Sequence, residues 1–279
     1  LNKFHSFYIR YIINHKSIKM KKFILLITFF FSLSINAQYF MYGYNNVPED
    51  EIEHYLQNER ELYSKAAEKA FKEGVINGWA IMRRVQGGKS EPNFYWYIGL
   101  DDLKKLDALP SDFGKIINET IENSGVPSLI KRAVKNHNSY RRFVASFYRP
   151  EVTRAKDFKG FKYLKHNVAS TPNPNLWWDT QIKQWGPFIK KNMNNGKINQ
   201  EIWAPAVRIN PVGNGYNWNV ITIDGFNSLE DLFQNGGKEY PSMESIDYES
   251  LSKTMPNGWY KQVIWERVMW LDDNGMLKE

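Results

Sequence analysis

The feature of this sequence that most constrains its fold is an internal repeat. Residues 74–103 and residues 196–229 each contain a glycine turn, a strand with tryptophan, a loop rich in Gly, Pro or Asn, and a second aromatic strand. Three pairs of residues match at nearly the same spacing along the chain: Trp79 with Trp203, Arg84 with Arg208, and Trp96 with Trp218. A spacing that persists through two strands and a loop indicates a duplicated unit.

We therefore expect two units, residues 38–150 and residues 161–279, joined by the polar connector 151–160. Each unit is predicted to follow the order β-α-β-β-α-β. The predicted strands are 39–44, 79–85, 94–99 and 140–148 in the first unit, and 161–168, 203–209, 218–223 and 259–270 in the second. The predicted helical regions are 48–73 and 103–135, then 176–192 and 229–251.

A unit with this order forms a four-stranded antiparallel sheet with both helices on one face, the ferredoxin-like arrangement. The other face of each sheet must be covered, and the second unit is the candidate cover. The sequence therefore predicts an α+β fold in which two tandem ferredoxin-like units pack sheet to sheet as a pseudo-dimeric α+β barrel. The aromatic strands would fill or line the space between the sheets.

The first 37 residues have the composition of a leader. Met20 and two lysines precede an apolar run, Phe23–Leu33, which is shorter than the ~20 residues of a spanning helix. Ala37 then closes a short segment typical of a signal-peptide cleavage site. We expect an exported protein, periplasmic or extracellular, whose reading frame begins at Met20 and which is not stably inserted in a membrane after cleavage. A retained anchor or a buried helix is the alternative.

Charge and cysteine content exclude several classes of function. The formal net charge is +7, but six of the 37 basic residues lie in the leader, which leaves 31 against 30 acidic residues in the remainder. A phosphate-tracking surface is therefore not indicated, and we expect no nucleic-acid partner. The absence of cysteine excludes disulfides, thiol nucleophiles and thiolate metal sites.

The segment Ile76-Asn77-Gly78-Trp79, followed by Tyr95-Trp96-Tyr97 on the next strand, resembles the dimeric α+β barrel superfamily of ferredoxin-like folds, and in particular its small secreted bacterial members. The second copy departs from the pattern, because Gln200-Glu201-Ile202 precedes Trp203 and no glycine does. The resemblance implies the barrel fold and a range of activities: cofactor-free monooxygenases, lactone isomerases, haem-degrading enzymes, haem peroxidases, and proteins of unassigned activity. Fold alone does not select among these.

His166 is the histidine best placed for chemistry, because its predicted strand would line the shared interior. It is a candidate general base or haem ligand, and a structural histidine is the alternative. His54 and His137 lie in polar segments, and no metal-ligand spacing surrounds any of the three, so no metal site is predicted.

Aromatic and polar residues at matched positions are candidates for binding a ligand. Four tryptophans and Tyr97 could line a pocket for a flat molecule or form part of the core, and the matched arginines could bind a carboxylate or lie in solvent. Asn217 and Asn219 interrupt a predicted aromatic strand, which indicates either a polar spot in the pocket or a strand edge. The candidate ligand-binding residues are Trp79, Trp96, Tyr97, Trp203, Asn217, Trp218, Arg84 and Arg208, with His166 and Asn219 as candidate catalytic residues.

Three functions follow from these patterns. The first is an exported protein that binds a small apolar or aromatic molecule between its two sheets. The second is a cofactor-independent monooxygenase or isomerase acting in that pocket. The third is a haem protein that uses His166. No sequence motif requires a cofactor, and a homodimer remains possible.

Overall fold

The computed structural model describes residues 39–88, 90–128, 131–132, 140, 146–213, 215–234 and 241–279. These residues belong to one compact unit, Ala37–Glu279. The predicted leader, residues 141–145 of the predicted fourth strand, residues 133–135 of the helical region before it, and His137 lie outside the described residues.

The strands of the described residues occupy nearly the positions that alternating aromatic and aliphatic residues predict. They are β1 (Tyr39–Asn45), β2 (Gly78–Gln86), β3 (Phe94–Leu100), β4 (Ser146–Pro150), β5 (Thr153–Arg154), β6 (Tyr163–Ala169), β7 (Gln200–Asn210), β8 (Val220–Phe226), β9 (Lys261–Leu271) and β10 (Leu277–Lys278).

The helices are α1 (Ile52–Asn58), α2 (Ser64–Lys72), α3 (Lys105–Asn123), α4 (Pro174–Thr180), α5 (Gly186–Asn194), α6 (Leu229–Phe233) and α7 (Tyr248–Thr254). A π-helical turn, Glu59–Tyr63, joins α1 to α2, and a second, Gln181–Trp185, joins α4 to α5. Both long helical segments end at a glycine with positive φ, Gly74 at 70° and Gly196 at 64°. Only glycine adopts this conformation without strain, so it ends each helix.

Eight of these strands form a closed antiparallel barrel. Their order is β9-β2-β3-β1-β4-β7-β8-β6, and β6 pairs in turn with β9. The barrel strands of residues 38–150 therefore have the order β2-β3-β1-β4, and those of residues 161–279 have the order β7-β8-β6-β9. We expected two sheets that face each other; in the structure they are also joined edge to edge, through β2–β9 and β4–β7. The chain is therefore an α+β protein with a barrel interior, as the sequence predicts.

Strand alternation divides the strand residues between two environments. The inward-facing side chains of β1, β3 and β6 include Tyr42, Tyr95 and Leu164, and they form one buried cluster inside the barrel. The outward-facing side chains of β1, β2 and β3 pack beneath α1, α2 and α3, and include Met41, Trp79 and Ile98. Any site on the outer face is thus separated from the barrel interior by a single layer of strands.

Two predicted elements differ from the structure. Strand β8 begins at Val220, so Asn217, Trp218 and Asn219 lie in the turn before it and not on the strand. The loop between β7 and β8, residues 211–219, is two residues longer than the loop between β2 and β3, residues 87–93, and this moves the register of the second hairpin. The weak helical region predicted at 229–251 contains the two short helices α6 and α7, and its residues 235–240 lie outside the described residues.

None of the helices within the described ranges is both long and apolar enough to cross a membrane.

Candidate functional site

A cavity of about 460 Å³ lies between the helices α1–α3 and the outer face of the sheet. This volume lies within the range of small-molecule sites, about 300–1,000 Å³. Strand residues form its floor: Met41, Asn45, Trp79, Trp96, Ile98, Phe147 and Asn210. Helical residues form its roof: Tyr55, Asn58, Glu59, Tyr63, Leu106, Leu109, Pro110, Phe113, Gly114 and Ile117. We call this space the helix–sheet cavity.

The position of Trp96 in the floor depends on a glycine. Trp96 on β3 lies opposite Gly43 on β1 and opposite Ile81 on β2. A Cβ atom on Gly43 would lie 1.9 Å from Cε2 of the Trp96 indole. Glycine in a strand often marks such a close approach. The indole therefore occupies the space above β1 that any other residue at position 43 would fill.

One wall of the cavity is polar. The Asn45 amide Nδ2 donates a hydrogen bond to the Tyr55 hydroxyl at 3.1 Å. Burial raises the pKa of the Glu59 carboxyl to about 8, although a hydrogen bond from Tyr55 acts in the opposite direction. Desolvation disfavours the charged form, so this carboxyl is mostly protonated at neutral pH. It can therefore both donate and accept a proton near neutral pH.

Asn58 is the most unusual residue of the polar wall. Its side chain is 2 % exposed, and both Nδ2 and Oδ1 are buried without a hydrogen-bond partner among the residues that the structure describes. Buried amides in native proteins are almost always paired, because an unpaired buried group costs about 1–3 kcal/mol. A donor and an acceptor therefore stand free at the wall of an otherwise aromatic cavity.

The π-helical turn lies directly at this wall. In it, Ser64 N–H bonds to the Glu59 carbonyl, five residues earlier. Single π turns inside α-helices occur frequently at functional sites. Tyr55, Asn58, Glu59 and Tyr63 all lie on the cavity side of this helical segment. The turn thus presents two adjacent polar side chains, Asn58 and Glu59, between two tyrosines.

The second half of the chain has different residues at the equivalent strand positions. The third residue of β8 is Thr222, opposite Asn167 on β6, whereas the third residue of β3 is Trp96, opposite Gly43. Asn167 Nδ2 donates to Thr222 Oγ1 at 2.9 Å and to Asp224 Oδ2 at 2.5 Å. Burial raises the pKa of Asp224. A paired polar network on β6 and β8 therefore takes the place of the Gly43–Trp96 pair on β1 and β3.

The barrel interior around His166 is filled. The His166 ring stacks on Tyr42 at 5.4 Å, and its Nε2 lies 3.4 Å from the Tyr95 hydroxyl. Burial lowers the pKa of His166 to about 3, so the ring is neutral at physiological pH. The space beside it is about 30 Å³, enough for one or a few water molecules. A space of this size does not hold a haem against His166, and none of the described residues that line the helix–sheet cavity is a histidine.

The structure does not gather the sequence-predicted site residues into one pocket. Trp79 and Trp96 line the helix–sheet cavity, whereas Tyr97 faces the barrel interior. Trp203 packs with the helix α5 in the second half. The indole of Trp218 lies at one end of the barrel interior, where its Nε1 donates to the Tyr148 hydroxyl at 3.4 Å.

The polar candidates have structural contacts in most cases. Arg84 donates to the carbonyls of Gly88, at 2.9 Å, and of Glu91, which holds the β2–β3 hairpin loop. Asn219 clamps one backbone segment, because its amide accepts from Thr171 N at 2.9 Å and donates to Thr171 O at 2.8 Å. Asn217 donates to the Tyr260 hydroxyl at 3.2 Å on an exposed surface.

Arg208 is different, because it is buried at 3 % exposure with its guanidinium 4.8 Å from the rings of both Tyr216 and Trp218. Its Nε and Nη2 have no hydrogen-bond partner within the described ranges. Burial lowers the pKa of this arginine. The space beside its neighbour Trp218 is about 30 Å³.

Sequence interpretation missed Tyr55, Asn58 and Glu59 as a group. The run from Gln57 to Glu61 is polar, and Asn58 and Glu59 are not among the candidate site residues that the sequence predicts. Asn58 and Glu59 are nevertheless three and four residues after Tyr55, the spacing that places side chains on one helix face. Polar residues on the apolar stripe of a helix were the signal that could have identified them.

Three or more His, Asp or Glu side chains that could hold a metal ion do not converge anywhere in the described part of the chain.

Comparison with known proteins identifies the fold. No family model matches the chain, and no curated protein matches its sequence. An anthrone oxidase-like protein of known structure superposes with a TM-score of 0.50 at 9% identity, over 85% of this chain and 93% of that one. A candidate monooxygenase from Lactobacillus acidophilus gives 0.46 at 12% identity, over 86% and 95%. A variant of the chlorite dismutase from Candidatus Nitrospira defluvii gives 0.43 at 8% identity, over 85% and 93%. The first of these similarities supports the α+β barrel fold of this chain.

Proposed function

We propose that this protein binds a small, mainly aromatic molecule in the helix–sheet cavity, and that the molecule carries a hydrogen-bond donor and an acceptor that pair with Asn58. The observation that carries the proposal is the buried amide of Asn58, which has neither a donor nor an acceptor partner in the described structure. The proposed site lies on the outer face of the strands, whereas the sequence predicted a site between the sheets.

The remaining lining of the cavity selects a flat, apolar body. Trp79, Trp96, Tyr63, Phe113 and Phe147 surround the space, and aromatic pairs add about 0.5–1.5 kcal/mol beyond the burial of their area. A polar group that satisfies Asn58 adds about 1–3 kcal/mol, because the binding site otherwise contains an unpaired amide. Phenols and aryl amides carry a donor and an acceptor on such a body, and aryl ketones carry an acceptor.

The proposal is tested with a library of aromatic fragments and ligand-observed NMR at neutral pH. Wild-type protein should bind phenols, aryl ketones and aryl amides, and the Asn58→Leu variant should bind them about 5- to 100-fold more weakly. Hydrocarbons of the same size, such as naphthalene, should bind both proteins alike. Equal affinity of the two proteins for the polar fragments would remove Asn58 from the site.

A second candidate function is proton abstraction from the bound molecule, and the position of Glu59 favours it. Its carboxyl lies in the same wall as Asn58, and its pKa of about 8 suits a general base near neutral pH. The carboxylate would remove a proton from an acidic C–H or O–H of the ligand and leave an enolate or phenolate. Return of the proton to another carbon gives an isomerase, whereas oxygenation needs dioxygen as co-reactant. The anthrone oxidase-like structural neighbour supports this proposal only as an analogy.

Solvent exchange tests proton abstraction without a known product. Aryl ketones with acidic α-hydrogens are incubated in D₂O, and deuterium incorporation is followed by NMR. The rate should rise with pH up to about 8 and then level, and Glu59→Gln should abolish it while fragments still bind. An unchanged exchange rate in Glu59→Gln would exclude Glu59 as the base.

We also propose that the two halves arose by duplication and that the chain is exported. The common strand order of the halves, their paired π-helical turns and the glycines that end both helical segments support duplication. The apolar run Phe23–Leu33 supports export. Fractionation of cells that express the gene from Met20, with N-terminal sequencing of the product, tests the export proposal; a cytoplasmic product that retains residues 20–37 would contradict it.

A further inference from the structure

A second cavity, of about 220 Å³, opens at one end of the barrel interior. Its inner walls are apolar and aromatic: Phe40, Tyr42, Ala80, Met82, Tyr95, Leu164, Ala204 and Ile223. Its mouth is lined by Arg154, Arg267, Tyr97, Phe161 and Trp270. We call this space the barrel-end cavity. It shares the inward face of the strands with His166 and is separate from the wall that contains Asn58.

Arg267 dominates the electrostatics of this mouth. Its guanidinium carbon lies 3.8 Å from the centre of the Trp270 ring and 4.3 Å from that of Phe161, so the group is held between two aromatic rings. Nε is buried and has no hydrogen-bond partner within the described ranges. Gly160, at a φ of 99°, allows the chain to pass beside Nη2, where a Cβ atom would approach to 3.3 Å. The side chain is therefore fixed in place by packing.

The charge of Arg267 lacks a carboxylate partner among the described residues. The neighbouring Glu266 pairs instead with Arg83 at 2.6 Å and with Lys162 at 3.6 Å. Burial lowers the pKa of Arg267 to about 10, so the group remains charged at neutral pH. Arg267 is partly buried, and a charge withdrawn from water in this way is costly unless an anion or water completes its hydrogen bonds.

Two further polar groups stand at the same mouth. Arg154 is exposed, with its guanidinium 5.2 Å from the Phe158 ring, and it makes no ion pair within the described part of the chain. Burial raises the pKa of Tyr97 to about 12, and the nearby charge of Arg154 opposes this shift. Asp273 is the one acidic residue in the described lining, and it pairs with neither arginine. Two cations thus face the opening against one anion.

We propose that the barrel-end cavity binds a small organic carboxylate, with the carboxylate on Arg267 and the apolar body inside the barrel. A guanidinium binds a carboxylate through two parallel hydrogen bonds, a geometry that an ammonium group does not offer. The short apolar depth behind the guanidinium suits a body of the size of benzoate or hexanoate. The site is independent of the helix–sheet cavity, and it follows from different residues.

The test compares benzoate, hexanoate and the neutral benzamide by isothermal titration at pH 7. The variant Arg267→Met keeps the apolar stem and removes the charge, and Arg60→Met removes a surface arginine that pairs with Glu279 at 2.6 Å. Wild type and Arg60→Met should bind both carboxylates, and Arg267→Met should bind them at least 10-fold more weakly. Benzamide should bind wild type and Arg267→Met with equal, weak affinity.

An NMR measurement distinguishes loss of the carboxylate site from loss of folding. The Nε–H resonance of Arg267, assigned by its absence in Arg267→Met, should shift on addition of benzoate and not on addition of benzamide. Arg267→Lys, which keeps a charge but offers no parallel donors, should retain intermediate affinity. Asn58→Leu should bind carboxylates as wild type does. Undiminished carboxylate affinity in Arg267→Met, or no saturable carboxylate binding by wild type, would overturn the proposal.

Discussion

Replacing Asn58 by leucine should stabilise this protein, although Asn58 is a buried polar residue. Loss of a buried polar side chain normally costs stability because its hydrogen bonds are lost. Asn58 makes none with the described residues, so Asn58→Leu removes two unpaired atoms at a position that is 2 % exposed. Leucine has a similar size and a higher helix propensity than asparagine.

The expected gain follows from the cost of an unpaired buried group. Each unpaired buried group costs about 1–3 kcal/mol. Because Asn58 adjoins a cavity, we expect its replacement by leucine to recover only part of the cost of its two unpaired groups. We therefore expect the free energy of unfolding to rise by about 1–3 kcal/mol. In a chain of this size, each kcal/mol raises Tm by about 2–4 °C. Urea denaturation and thermal unfolding of the unliganded proteins measure both quantities.

A matched control separates this effect from the general effect of leucine in a helix. Asn192 is also a buried helical asparagine, at 4 % exposure, but its Nδ2 donates to the Phe188 carbonyl at 2.9 Å. Asn192→Leu should therefore lose about 0.5–1.5 kcal/mol. If Asn58→Leu were destabilised to the same extent as Asn192→Leu, the Asn58 amide would have partners, and the reasoning behind the helix–sheet site would fail.

Three other predictions follow from the described contacts. In the folded protein Glu59 has a pKa of about 8 and stays protonated at pH values above about 4.5, where the unfolded chain releases this proton, so the free energy of unfolding should fall as pH rises from 4.5 to 8. His166 has a folded pKa of about 3 and stays neutral at pH values below 6.5, where the unfolded chain binds a proton, so the free energy of unfolding should also fall as pH drops from 6.5 to 3. Urea midpoints should therefore be highest between about pH 4.5 and 6.5, and the free energy of unfolding should fall by up to about 1.4 kcal/mol per pH unit on either side. Glu59→Gln should remove the loss above pH 6.5. A midpoint independent of pH between 6.5 and 8 in wild type would contradict this assignment. Gly43→Ala should displace Trp96, lower the free energy of unfolding by about 1–3 kcal/mol and abolish fragment binding, whereas unchanged thermal unfolding would show that the indole is not held above β1. Asn219→Ala should cost about 1–3 kcal/mol through loss of two hydrogen bonds without affecting fragment affinity, and a specific loss of binding would instead return Asn219 to the site.

The barrel could be predicted from the sequence because its signals are periodic. Alternation along β1 and β6 places Tyr42 and His166 on the inward face, and the aromatic strands indicated a filled or lined interior. The match of Trp79 with Trp203 also holds in the structure. Trp79 follows Gly78, which lies opposite Gly99, and Trp203 follows Ile202, which lies opposite Gly225.

The site could not be predicted in the same way, because it depends on which groups lack partners. Nothing in the sequence distinguishes the unpaired amide of Asn58 from the paired amide of Asn192. The match of Trp96 with Trp218 was misleading, because the longer loop 211–219 puts Thr222 at the position of Trp96. Pairing and register are properties of three-dimensional packing, and short local patterns carry little information about them.

Closure of the barrel within one chain has a consequence for how the two halves can change. In a barrel assembled from two identical chains, every substitution occurs twice, so a site gained on one side is gained on both. Here the seams β2–β9 and β4–β7 are intramolecular, and the interior is complete at any dilution. The first half can therefore keep an open cavity at Asn58 while the second half has the closed Asn167–Asp224 network. Two identical chains could not differ in this way.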